Sequence, residues 1–288
     1  MTGAKSLLRT SNLVARHVLY LNEIYTNCSQ SASLLQNTSA NLQGIFLADM
    51  QHHRKINKKV DRYGSIHMVV TDSADELKQY HVKYWNDLLS HKFILEMAAD
   101  SLPIEKFAFY LRQDHVFLKE FCAFLLIAKQ KSTYEKLKIW FDSLYHSTID
   151  SEMQMQRELL LSLGELSDID NNSTITMASA TLNYISFLRQ VSLSAKNIEV
   201  IVSAMAPCPW SYLEIAQKLS KSDMKRDVYF KWIQFYSSNE SQQQIKELKN
   251  ILSSVYDQAD DSTKVIMRQH FGAACKYEYN FWEAAYNM

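Results

Sequence analysis

The sequence predicts an all-α protein, and three observations predict it. Gly occurs 5 times and Pro 3 times in 288 residues, against roughly 20 and roughly 14 at average usage. Turns and strand edges consume these residues, so their scarcity argues for long helices joined by few loops. From about Asp75 onward, apolar residues recur at three- and four-residue spacing, the period of an amphipathic helix. Hydrophobic residues make up 47% of the chain and aromatic residues 12%, which is enough for a sizeable core and unlike a disordered chain.

The elements follow in chain order. Over residues 1–50, Leu7, Val14, Leu21, Cys28, Leu35 and Leu42 fall seven apart, with Ile24 and Ile45 at the second seam position. This predicts an amphipathic or coiled-coil-like helical extension whose second seam is interrupted by His17, Ser31 and Thr38. Residues 51–80 read as a linker: the stretch is polar, with Gly64 and a short Ile66–Val70 run that suits extended chain. Residues 81–288 form the main domain, and the helical pattern reaches back to 75. Candidate helices run over 75–98, 103–130, 132–147, 150–164, 174–194, 197–205, 209–220, 224–237, 241–256 and 261–287. Pro103 and Pro209 suit first helical turns, where no N–H is needed. Asn171, Asn172 and Ser173 supply a loop and a helix cap.

Lys+Arg and Asp+Glu both total 31, so the strong basic excess of a nucleic-acid scaffold is missing. Arg54, Lys55, Lys58 and Lys59 read as a solvated face. No apolar run approaches the roughly 18 residues needed to span a membrane; the longest lies near Phe121 to Ala128. The cysteines Cys28, Cys122, Cys208 and Cys275 are scattered without a C-x-x-C pair. That pattern suits reduced thiols in a cytoplasmic compartment. The first 22 residues hold Lys5, Arg9 and Arg16 and no acid before Glu23, so a mitochondrial presequence is the alternative to an ordinary amphipathic helix. No H-E-x-x-H, E-x-x-H, G-x-x-x-x-G-K-[ST] or G-x-G-x-x-G motif occurs, which leaves zinc-protease, di-iron and common nucleotide-binding sites without their signatures. His52-His53 reads as an exposed pair in a polar stretch.

Three stretches carry chemistry. Phe107, Tyr110, Leu111, Asp114, Phe117, Leu118, Phe121 and Leu125 share one largely apolar face. Asp114 lies in its middle, and a carboxylate there must be paired or hydrogen-bonded. In the last helix, Glu278 lies among Phe271, Ala274, Cys275, Phe281, Trp282 and Ala285. Burial would raise its pKa and let it donate a proton near neutral pH. For both acids a purely structural polar pair is the competing reading. Between them stands Pro207-Cys208-Pro209-Trp210-Ser211-Tyr212. With Pro209 at the first helical position, Cys208 becomes the N-cap, where the helix dipole favours a thiolate. The competing reading is a small buried hydrophobe.

These stretches, in this order, resemble the TenA/thiaminase II family. YWNDLLSHKFILEMAADSLP from Tyr84 to Pro103 is similar to its opening helix and turn, and FAFYLRQDHVFLKEF from Phe107 to Phe121 to its Tyr-x-x-Gln-Asp segment. PCPWSYLEIAQKL from Pro207 to Leu219 resembles its Pro-Cys-x-Trp-x-Tyr-x-Glu segment, and YFKWIQFY and YEYNFWEAAY, beginning at Tyr229 and Tyr277, complete the set. The resemblance implies a heme-oxygenase-like helical bundle that binds no heme. It implies hydrolysis of 4-amino-5-aminomethyl-2-methylpyrimidine to the 5-hydroxymethyl compound, and of thiamin to its two halves, with no metal or organic cofactor. It further implies a homo-oligomer, a tetramer, whose partner is a small aminopyrimidine or thiamin. Cys208 matches the family's nucleophile, Asp114 the carboxylate at the aminopyrimidine edge, and Glu278 the carboxylate facing a ring nitrogen. Tyr184, Tyr212 and Tyr236 match pocket tyrosines; Phe117 and Phe281 match aromatic positions on the ring. Departures are Phe117 where Tyr is usual, Gln156 where His is expected after Glu152, Pro209 in place of an aromatic or aliphatic residue, and one extra residue between Tyr184 and Cys208. They bear on substrate preference, and two alternatives follow: a catalytically degenerate bundle that binds a pyrimidine or protein partner, or a hydrolase of an N-formylated aminopyrimidine.

Overall fold

The computed structural model describes residues 72–165, 175–223 and 225–288. The heptad segment, the linker up to residue 71, the basic cluster, His52-His53 and the Asn171-Asn172-Ser173 loop lie outside the described residues. Those described form helices, one π-helical turn and no strand. The helices are α1 Ser73–Tyr80, α2 Val82–Leu89, α3 Lys92–Ala98, α4 Ile104–Lys131, α5 Glu135–Ser147, α6 Met153–Ser162, α7 Ser179–Ser194, α8 Ile198–Met205, α9 Pro207–Leu219, α10 Asp227–Tyr236, α11 Asn239–Gln258 and α12 Asp261–Tyr286.

Three expectations are corrected. The single helix expected over 75–98 is three short ones, α1 to α3. Asp72 caps α1, and the chain turns again at His91, whose Nδ1 accepts the Phe93 N–H at 3.1 Å. The backbone amide fixes His91 as the Nε2-protonated tautomer, which donates to Glu283 Oε2 at 2.8 Å and ties α3 to α12. The helix expected from 174 begins at Ser179. Its N-cap, Ala178, has no side chain to offer. Gln113 of α4 serves instead: its Oε1 accepts from the Ala178 amide at 2.9 Å and from Thr181 Oγ1 at 2.8 Å. A long-range side chain can therefore place a helix start that local caps do not mark. Third, no loop separates 132–147 from 150–164. A π-helical turn over Thr148–Glu152 joins α5 to α6.

Helix α12 is the central element. It packs on α1, α2, α3, α4, α7, α8 and α9, and at 26 residues it is roughly 39 Å long. Asp260 starts it, accepting the Thr263 N–H at 2.7 Å. The 28-residue α4 lies against α5, α6, α7 and α12. Trp85, Phe93, Phe107, Tyr110, Trp232, Phe271 and Trp282 are fully buried, and rings this size dominate the apolar area removed from water. Among the described residues no helix is long and apolar enough to cross a membrane.

Candidate active site

Six helices, α4, α6, α7, α9, α10 and α12, and the π-turn deliver polar groups into this aromatic core. Helix α9 is oriented by Glu214, which accepts from Trp210 Nε1 and Trp85 Nε1, each at 2.8 Å, and pairs with Lys78 at 2.6 Å. This cluster fixes one face of α9 against α1 and α2. Cys208 and Tyr212 lie elsewhere on its circumference, on the side of α4 and α12.

Asp114, 3% exposed, sits midway along α4. Its Oδ2 accepts from Tyr110 Oη at 3.0 Å and from Gln156 Nε2 at 2.5 Å. Tyr110 Oη in turn accepts from Trp232 Nε1 at 3.0 Å, and the Tyr212 hydroxyl lies close enough to influence it. Glu278 of α12, 1% exposed, accepts from Tyr184 Oη at 2.7 Å, and the Cys208 thiol lies close enough to influence it. Glu152, at the end of the π-turn, accepts from Tyr236 Oη at 2.7 Å. Aromatic rings close the remaining sides: Phe117 lies 4.8 Å from Tyr184 and 6.0 Å from Phe281, and Tyr212 lies 5.0 Å from Tyr236. All eight residues singled out from the sequence, Cys208, Asp114, Glu278, Phe117, Tyr184, Tyr212, Tyr236 and Phe281, therefore belong to one connected cluster.

Burial of the acids leads its electrostatics. Burial pushes Glu278 up to about 7, against the pull of the Tyr184 hydroxyl and the Cys208 thiol. Burial likewise pushes Glu152 up to about 7, opposed by Tyr236. Asp114 is raised well above the usual carboxylate range, first by burial and then by the Glu152 charge. None of the leading influences on these groups is a lysine or arginine.

Here a further expectation is corrected. Cys208 is not an N-cap. Helix α9 begins at Pro207, so Cys208 is its second residue, and the cap, Ala206, has helical dihedrals inherited from α8. Pro209, expected at the first helical position, is the third. Only Ala206 separates the two helices, and it keeps helical dihedrals, so Cys208 lies inside α9 and not at the cap that was expected. Burial and the charges of Glu278, Asp114 and Glu152 push the thiol well above its ordinary range. At rest it is a neutral thiol beside Glu278, not a thiolate.

Glu152 is the member that sequence reasoning missed. It lies on no apolar stripe, and the π-turn shifts its facing relative to a regular helix. Its only signal was its place four residues before Gln156. Glu152 and Cys208 keep some accessible surface, although burial is the leading influence on the titration of both. Among the described residues, no three His, Cys, Asp or Glu side chains are grouped to hold a metal ion.

Comparison with known proteins follows the same segments. The family model described as TENA/THI-4/PQQC matches residues 78–288. A protein of Helicobacter pylori named aminopyrimidine aminohydrolase is 29% identical over 208 residues, covering 70% of this chain and 93% of that protein. One of the same name from Bacillus subtilis is 27% identical over 215 residues, covering 74% and 89%. A solved structure of a TenA homologue from P. horikoshii superposes with TM-score 0.69 at 26% identity, over 75% of this chain and 99% of that one. Heme oxygenase-1 of the cyanobacterium Synechocystis superposes with TM-score 0.51 at 12% identity over 74% of this chain and 91% of that one, so the fold is heme-oxygenase-like.

Proposed function

Because the chain belongs to the TENA/THI-4/PQQC family, we propose that it is an aminopyrimidine aminohydrolase of thiamin salvage. Its substrates in this reading are 4-amino-5-aminomethyl-2-methylpyrimidine, hydrolysed to the 5-hydroxymethyl compound, and thiamin. The observation that carries the reading is that Cys208 and Glu278 lie close enough to perturb each other's titration, beside the Phe117, Tyr184 and Phe281 rings and within the electrostatic reach of Asp114.

The neutral thiol refines the chemistry. No free thiolate need exist in the resting site. As the sulfur adds to a ring carbon, Glu278 takes the thiol proton and a ring nitrogen receives one from Glu278. A carboxyl held at about 7 can move a proton in either direction near neutral pH. Sulfur addition leaves an enamine that includes the ring amino nitrogen, whose edge Asp114 holds. The enamine electrons form an exocyclic double bond to the 5-methylene and expel its amine. Water then adds to that methylene, the carbon–sulfur bond breaks, and the proton returns to sulfur. Phe117 and Phe281 stack on the pyrimidine, and Tyr184, Tyr212 and Tyr236 orient the acids.

The test is hydrolysis of the aminomethylpyrimidine by the purified protein, followed as hydroxymethyl product. Cys208→Ala is expected to abolish turnover while the helical circular dichroism is unchanged. Turnover retained in that variant, or no product from the unaltered protein, overturns the reading.

A further inference from the structure

Glu152 and Gln156 occupy a corner of the site that the mechanism above leaves unused. Both reach Asp114, Gln156 by its hydrogen bond and Glu152 by its charge. Gln156 is fully buried; its Nε2 is spent on Asp114, and its Oε1 has no hydrogen-bond partner among the described residues. A buried acceptor left unmade is costly until a donor arrives. Glu152 adds a carboxylate that keeps accessible surface, held at 2.7 Å by Tyr236.

Resting on the aminopyrimidine reading, we propose that Glu152 and Gln156 Oε1 form the seat of a positively charged nitrogen carried on the substrate's 5-methylene. The corner supplies acceptors and negative charge, and no lysine or arginine is among the leading influences on its acids. An ammonium supplies donors and the missing charge. The leaving-group chemistry agrees. An ammonium departs as ammonia, keeping its three hydrogens and taking the carbon–nitrogen electron pair, so no further proton is needed. A thiazolium departs as a neutral thiazole in the same way. A neutral N-formyl amine would leave as an amidate or require a proton donor, and it offers this seat no charge. Glu152 is thus a specificity-determining residue that favours cationic leaving groups.

The test separates binding from turnover. In a Cys208→Ser background, calorimetry measures the Kd of the 5-aminomethyl and the 5-hydroxymethyl pyrimidines. The cationic compound is expected to bind about 10- to 100-fold more tightly, the range for a charged hydrogen-bonded pair. Adding Glu152→Gln is expected to reduce that preference to about threefold or less, an effect beyond what a general loss of folding would give. In the enzyme with Cys208 intact, Glu152→Gln is expected to lower the kcat/KM ratio of aminomethyl to N-formylaminomethyl substrate by about the same factor. Equal affinity for the two pyrimidines in the Cys208→Ser protein overturns the proposal without recourse to the second variant. So does a preference that survives Glu152→Gln. If the Cys208→Ser protein binds neither pyrimidine, the aminopyrimidine reading itself has failed, and this inference with it.

Discussion

Residue types at a few positions decide what this site can do. Asp114 and Glu278 stand out in the sequence because each interrupts an apolar stripe, and an acid on a buried face must find partners. Their partners could not be read in the same way. Tyr110 lies one turn from Asp114, but Gln156 comes from 42 residues away, and Tyr184 reaches Glu278 across 94. Flanking prolines mark Cys208, but they do not reveal its protonation state, because burial, and then three carboxylates brought in from elsewhere in the chain, hold the thiol well above its ordinary range. If Glu278 relays the proton between sulfur and ring, Glu278→Gln keeps the hydrogen bond from Tyr184 and loses the relay. We expect kcat to fall by about 10²- to 10⁴-fold, with binding of the hydroxymethyl product largely retained in calorimetry. A fall of less than about fivefold would remove Glu278 from the chemistry.

Among the helices, close approach and capping position the site-bearing segments. Helix α12 reaches the start of α2 through Gly272, where a Cβ would lie 2.3 Å from His81 Cε1. The ring cannot easily retreat, because His81 Nε2 is bonded to the Arg268 carbonyl at 2.8 Å. Gly272→Ala is therefore expected to cost about 1–3 kcal/mol of stability, the range for overpacking. Urea unfolding would measure it, and His81→Ala in the same protein should recover part of the loss. Additive losses in the double variant would argue against the contact. Helical periodicity made most of the long elements legible, since apolar stripes mark α4 and α12 directly. The breaks between α1, α2 and α3 were not legible, because His81 and His91 are not breakers by type. The π-turn was also hidden, since one extra residue per turn leaves little trace in a polar stretch such as Thr148–Glu152.

For the molecule as a whole, three buried acids set how stability depends on pH. Glu278 in the folded protein lies near 7, against 4.5 ordinarily. Between these values the folded state holds a proton that the unfolded chain has released. The unfolded state then binds fewer protons, so stability falls as pH rises through this window and levels off above about 7. Glu278 alone contributes on the order of 3 kcal/mol; Glu152 and Asp114 act in the same direction. Unfolding free energies at about pH 5 and pH 8 should show this decline, and Glu278→Gln should reduce it; an equal slope in both proteins would contradict the assignment. By itself the sequence determined the helical class, the main amphipathic faces and the residue types available for chemistry. Those properties follow from local periodicity and composition. Tertiary structure alone decided that Glu152 joins the site, that Gln113 starts α7, and that the Cys208 thiol stays protonated. Each of these depends on groups distant in sequence, and the energy of a buried charge or an unmade hydrogen bond is set by whatever the fold brings within a few ångströms.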